Sequence, residues 1–137
     1  VVRIRQVKGA KKKIEHWLEF FQCKDQRHYL IKDLSRGTKQ KVLAIQAFIH
    51  EPKLVFIDEP MINLDPLMQK KFKQFLTDYV KAGHTVFLST HVLSIAEELC
   101  TSIGIIKDGK LHHHGSMQAV KRKKKDLEEY FEEVVAS

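Results

Sequence analysis

Two short unbroken apolar runs most narrow the folds open to this chain: Lys53 to Asp58, read KLVFID, and Thr85 to Ser89, read TVFLS. A short apolar run bounded by turn chemistry, with no polar residue alternating into it, predicts a strand buried on both faces, as in a parallel sheet. Between and around the runs the apolar spacing is helical. Ile14, Trp17, Leu18 and Phe21 mark a helix over Lys11 to about Gln22; Val42, Ile45, Phe48 and Ile49 mark a second, ended by Glu51-Pro52. Asp65-Pro66 opens a third, whose Met68, Phe72, Phe75, Leu76 and Tyr79 share one face and which Gly83 closes. A short helix follows over about Leu93 to Cys100. Asp108-Gly109 then joins SIGIIK to KLHHH as a hairpin, and KKKDLEEYFEEVV reads as a charged helix with an apolar stripe. Strands alternating with helices predict an α/β architecture with a mostly parallel sheet.

Composition agrees with one domain or part of one. The 137 residues are 43% hydrophobic and 30% charged, enough apolar material for a core without metal or disulfide staples. No apolar run approaches the length of a membrane span, and the basic start lacks the apolar region of a secretory leader. Opening on Val1 rather than Met, the chain reads as a fragment or a processed product. The net charge is +7, concentrated in Lys11 to Lys13 and Lys121 to Lys125; such runs read first as solvated faces. Cys23 and Cys100, far apart and in no paired motif, read as reduced thiols of a cytosolic chain.

In open α/β sheets ligands bind at the carboxyl ends of the strands. The first run ends on Asp58-Glu59-Pro60 and the second on Ser89-Thr90-His91. Paired carboxylates after a buried strand are costly unless a cation or hydrogen bonds compensate them, and Mg²⁺ held through one or two carboxylates and substrate phosphates suits. Pro60 is expected to keep Glu59 extended. In Leu34-Ser35-Arg36-Gly37-Thr38, Ser35 is a candidate helix N-cap and Gly37 lets backbone come close to a ligand. Amides at a helix N-terminus attract phosphate, and Arg36 would strengthen that field. Taken singly, each stretch also fits an ordinary loop or capped helix.

Taken in order, LSRGTKQK, a helix, LVFIDEP, MINLDP, a helix, TVFLSTH and GIIKDGKL resemble the ATP-binding cassette (ABC) ATPases from about Lys11 to the C-terminus. LSRGT resembles the signature motif, LVFIDE a Walker B strand with its glutamate, NLDP the D-loop, and His91 the switch histidine. The resemblance implies the C-terminal half of a transporter's ATP-binding subunit. It implies a partial P-loop NTPase fold, a mostly parallel sheet flanked by helices, with part of a helical subdomain and a C-terminal hairpin and helix. On that reading residues 1–137 are one partial domain: 1–50 helical subdomain portion and signature helix, 51–115 core strands, 116–137 C-terminal helical tail.

Site roles follow from the same resemblance. Asp58 holds Mg²⁺, Glu59 polarises the attacking water as general base, and His91 contacts the γ-phosphate. Ser35, Arg36, Gly37 and Thr38 cap the γ-phosphate of an ATP held mainly by a partner subunit, and Asp65 works across that interface. The implied partners are a second ABC ATPase domain, head to tail, and a transmembrane permease subunit, with the chain peripheral on the cytoplasmic face of the membrane. No specific nucleic acid is expected. Arg36 and Thr38 depart from the family's usual glycine and glutamine, and Ile62-Asn63 stand where small residues are typical.

The family's Walker A loop, GxxxxGK[ST], and its glutamine loop do not occur in these residues. Gly104 to Lys110 matches the phosphate-loop spacing, but Leu111 stands where Ser or Thr must reach Mg²⁺, and the hairpin explains both glycines. The chain is therefore expected to bind ATP weakly or not at all by itself. Of His112-His113-His114 at most two can share a strand face, and an exposed hairpin arm is the plainer reading. Trp17, Phe20 and Phe21 read as core, although the family's helical subdomain meets the membrane partner there. Two alternatives stand beside the transporter: a soluble ABC ATPase acting on nucleic acid or ribosomes, which the +7 charge favours, and a non-catalytic split half that works only with a complementary chain.

Overall fold

The structure, a computed structural model, describes residues 6–123 and 126–136. The first residues of the basic start, and Lys124 and Lys125 of the second basic run, lie outside them. The chain divides into two compact units, Val1–Ser89 and Thr90–Ser137.

In the first unit α1 (Ala10–Phe20) leads through two short 3₁₀ turns, Lys24–Gln26 and Ile31–Asp33, into α2 (Arg36–Phe48). Next come β1 (Leu54–Asp58), α3 (Pro66–Lys81) and β2 (Thr85–Ser89). β1 and β2 pair in parallel, from Leu54 beside Thr85 to Asp58 beside Ser89. The helices close on an aromatic core. Trp17 of α1 stacks near Phe21 and Phe48, and Phe21 and Phe48 meet Phe72 of α3 edge to face. Phe21, Phe48 and Phe72 have no exposed surface, so Trp17 and Phe21 are core residues, as their spacing predicts. Pro52 ties α3 to the start of β1: its carbonyl accepts from Tyr79 Oη at 2.5 Å and lies 2.9 Å from His84 Nδ1.

The expectation of strands buried on both faces is corrected. Strand alternation puts Val55 and Ile57 on the helix side, where Val55 is buried, and Leu54 and Phe56 on the other. Leu54 is 50% exposed, Phe56 69% and Phe87 62%. The first unit covers only one face of the pair; the other is apolar without a covering layer among the described residues.

The second unit runs α4 (Leu93–Leu99), β3 (Ser102–Lys107), β4 (Lys110–Ser116), α5 (Met117–Arg122) and α6 (Leu127–Ala136). Lys107 pairs with Lys110, so Asp108 and Gly109 form a two-residue hairpin turn, with φ of 50° and 73°. Two successive positive φ angles are what a turn matched to strand twist requires. Ile103, Ile105, Met117, Val120, Leu127 and Tyr130 form this unit's core. Gly104 lies within β3, which settles the phosphate-loop look-alike as hairpin.

Candidate functional site

The carboxyl ends of β1 and β2 bring Asp58 and Ser89 side by side. Period-two alternation sets Leu54, Phe56 and Asp58 on one face, opposite Thr85, Phe87 and Ser89. The Phe56 and Phe87 rings, paired across the strands on that face, lie 5.5 Å apart. Asp58 is exposed, and the Ser89 hydroxyl donates to its Oδ1. Adjacent carboxylate and hydroxyl oxygens fit a hard cation such as Mg²⁺, which takes few protein ligands and fills its octahedron with water and phosphate. Among the described residues no three His, Cys, Asp or Glu side chains gather to hold an ion by themselves. A cation at Asp58 would therefore be shared with water or phosphate.

Glu59 is half-buried and has φ of 45°. The expectation that Pro60 keeps it extended is corrected. A following proline disfavours the right-handed helical region but does not by itself select the extended one, and hydrogen bonds at both ends of the residue select a positive φ. The Glu59 N–H donates to the Ser89 carbonyl at 3.0 Å. Its own carbonyl accepts from the Ile62 N–H at 3.3 Å and from Gln40 Nε2, on α2, at 3.1 Å. Pro60 itself is fully buried.

Ser35 is the N-cap of α2, as its sequence position predicts. Its Oγ accepts from the Thr38 N–H at 3.1 Å and lies 2.9 Å from the Thr38 hydroxyl. Arg36 is exposed on the first turn. The close backbone approach expected at Gly37 is to another part of the chain: a Cβ there would stand 2.6 Å from the Asn63 carbonyl oxygen. The 59–65 loop thus packs directly on the first turn of α2. Asn63 has φ of 60°. Asp65 caps α3, its Oδ1 accepting from the Met68 N–H at 2.9 Å. Gln69 Nε2 reaches back from α3 to the Met61 and Leu64 carbonyls, at 3.3 and 3.1 Å. One loop therefore joins Glu59 to the turn carrying Ser35, Arg36, Gly37 and Thr38, and ends on Asp65.

His91 belongs to the second unit and is exposed, just ahead of α4, where the Val92 N–H donates to Thr90 Oγ1 at 3.1 Å. In that unit the three consecutive histidines alternate as a strand requires. His113 is half-buried, its Nδ1 3.2 Å from Tyr130 Oη, while His112 and His114 are exposed. Both cysteines are free thiols. Burial pushes the Cys23 thiol above its ordinary value, opposed by Lys41, and burial raises Cys100 likewise. Gln40, Asn63 and Gln69 carry no local signal of their role. Each acts through a contact that its own helix or loop spacing does not encode.

A family model described as "AAA domain, putative AbiEii toxin, Type IV TA system" matches residues 14–96. The chain is 36% identical over 112 residues to an uncharacterised ABC transporter ATP-binding protein of Methanocaldococcus jannaschii, covering 82% of this chain and 43% of that protein. A solved structure of the ATP binding subunit of an ABC transporter matches with a TM-score of 0.83 at 29% identity, over 92% of this chain and 54% of that one. A dimeric ATP-binding cassette in a post-hydrolysis state, bound to ADP and Pi, shares the fold with a TM-score of 0.69 at 23% identity, over 77% of this chain and 46% of its own. The chain thus spans about half the length of these proteins.

Proposed function

This chain belongs to the ATP-binding cassette ATPases and carries part of an AAA-type domain, and on that premise we propose that it is the portion of an ABC transporter's ATP-hydrolysing subunit that supplies the catalytic carboxylates and the signature turn. Residues 1–137 then act as one partial domain on the cytoplasmic face of a membrane. ATP is held by a phosphate cradle outside these residues, and a second ABC ATPase domain, paired head to tail, presents the opposite face. A transmembrane permease subunit takes up the motion.

The roles follow the chemistry of each side chain. Asp58 holds Mg²⁺, which when bound offsets charge on the phosphate oxygens. Glu59, beside that carboxylate and held by its peptide, orients a water and accepts its proton as the water attacks the γ-phosphorus; the bond to the bridging oxygen breaks, leaving ADP and phosphate. His91 hydrogen-bonds the γ-phosphate. Ser35, Arg36, Gly37 and Thr38 meet the γ-phosphate of the ATP across the interface, with the α2 N-terminal amides favouring its charge. Asp65, at the end of the same loop, faces the partner domain.

One observation carries this reading: Asp58 and Glu59 stand in succession at the carboxyl end of a parallel strand, where the neighbouring strand supplies a hydroxyl to the first and a carbonyl to the second. The test is Mg²⁺-dependent ATP hydrolysis by the intact protein containing these residues. Asp58→Asn should abolish the Mg²⁺-dependent hydrolysis, and unchanged hydrolysis by that variant would refute the assignment. The uncovered Leu54-Phe56-Phe87 face favours a related reading, in which these residues function only beside a complementary polypeptide segment.

A further inference from the structure

Gln40 has no part in the roles assigned above, yet it makes the contact that links the signature helix to the Glu59 peptide. We infer that Gln40 is a positioning residue for Glu59: its side-chain amide fixes the Glu59 peptide in a positive-φ conformation, so that α2 sets where the Glu59 carboxylate stands. The inference rests on the reading of Glu59 as general base.

Three observations converge. Glu59 has φ of 45°, a conformation that a non-glycine residue keeps only when its surroundings over-determine it. Its N–H is bonded to the Ser89 carbonyl, and its carbonyl accepts twice, from Ile62 and from Gln40 Nε2 at 3.1 Å. Of these partners only Gln40 comes from a helix outside the strand and its own turn. Contact between the same helix and loop recurs at Gly37, where the Asn63 carbonyl leaves no room for a Cβ. α2 therefore touches both ends of the 59–63 segment, Glu59 through Gln40 and Asn63 through Gly37. A shift in a general base's position of about 1 Å is enough to cost on the order of a hundredfold in rate, so the donor has catalytic leverage without touching ATP.

Gln40→Met keeps the side chain's length and removes its donor. In the intact protein with Mg²⁺-ATP, kcat should fall about tenfold or more while KM for ATP stays within about twofold, the pattern of an interaction used in the transition state. In the same variant, amide exchange at Glu59 and Ile62 should quicken while the α3 core keeps its protection. Unchanged kcat, or a loss confined to KM, would overturn the inference. If Gln40→Met does not fold, Gln40→Glu carries the test. An ionised carboxylate cannot donate to the Glu59 carbonyl, so this variant too should lose about tenfold or more in kcat with KM for ATP within about twofold, and unchanged kcat would overturn the inference. Wild-type protein that hydrolyses no ATP shows, before any substitution, that the reading of Glu59 itself has failed, and the inference falls with it.

Discussion

At the scale of single residues, the site is held through its backbone. Glu59 is fixed by three hydrogen bonds to its peptide groups and by a buried proline behind it. Glu59→Gln should therefore leave the loop in place and remove only the base. Hydrolysis by the intact protein should fall by roughly 10²- to 10⁴-fold with ATP binding retained, and a loss of less than about threefold would remove Glu59 from the chemistry. Gly37→Ala tests the packing of loop on helix: a methyl 2.6 Å from a backbone carbonyl forces a shift. The cost should be about 1–3 kcal/mol in denaturant unfolding, and a neutral result would show that the approach is looser than the structure has it. Cys23 gives a third prediction. Burial raises its thiol above the ordinary value and, with the Glu51 charge, raises the Tyr79 phenol likewise. The folded chain favours the protonated forms. That stabilisation is full below the ordinary thiol value and is lost as pH rises through the raised ones. The denaturant midpoint should drop between about pH 8 and pH 11, and a midpoint that rises across that window would contradict it.

At the scale of elements, the order of helices and strands was legible because periodicity and local punctuation carry it. Ser35 and Asp65 announce their helices as N-caps, and Asp108-Gly109 announces its hairpin. α5 was not legible as a separate helix within the helical tail expected over 116–137: six residues within a polar, basic stretch offer too little period, although Ser116 caps it by accepting from the Ala119 N–H at 3.2 Å. The conformation of Glu59 was not legible either. It depends on Gln40, nineteen positions away, and nothing in local spacing separates that half-buried glutamine from the exposed Gln46 on the same helix. The apolar runs were read correctly as strands and incompletely as to burial, because a pattern records what a strand can bury and not what is present to cover it. The exposed Phe56 and Phe87, paired across the strands, make this face adhesive. Phe56→Thr with Phe87→Thr should lower self-association of the 137-residue chain in light scattering while its helical circular dichroism persists. Equal scattering would place the sticky surface elsewhere.

At the scale of the whole molecule, each unit has its own core: an aromatic cluster in the first, aliphatic side chains and Tyr130 in the second. Among the described residues no helix is long and apolar enough to cross a membrane. Asp58, Glu59 and the Ser35 to Thr38 turn all lie in the first unit, joined by the 59–65 loop; on the proposed reading the carboxylates serve one ATP and the turn caps another across the interface. The family's phosphate loop, GxxxxGK[ST], does not occur in these residues. A P-loop's amides and lysine supply most of the grip on a triphosphate, and on the proposed reading residues outside these supply it. Titration of a fluorescent ATP analogue with Mg²⁺ into the 137-residue chain tests this most directly. No saturation is expected below about 1 mM, and a Kd near 1 μM would mean that these residues grip the triphosphate by themselves.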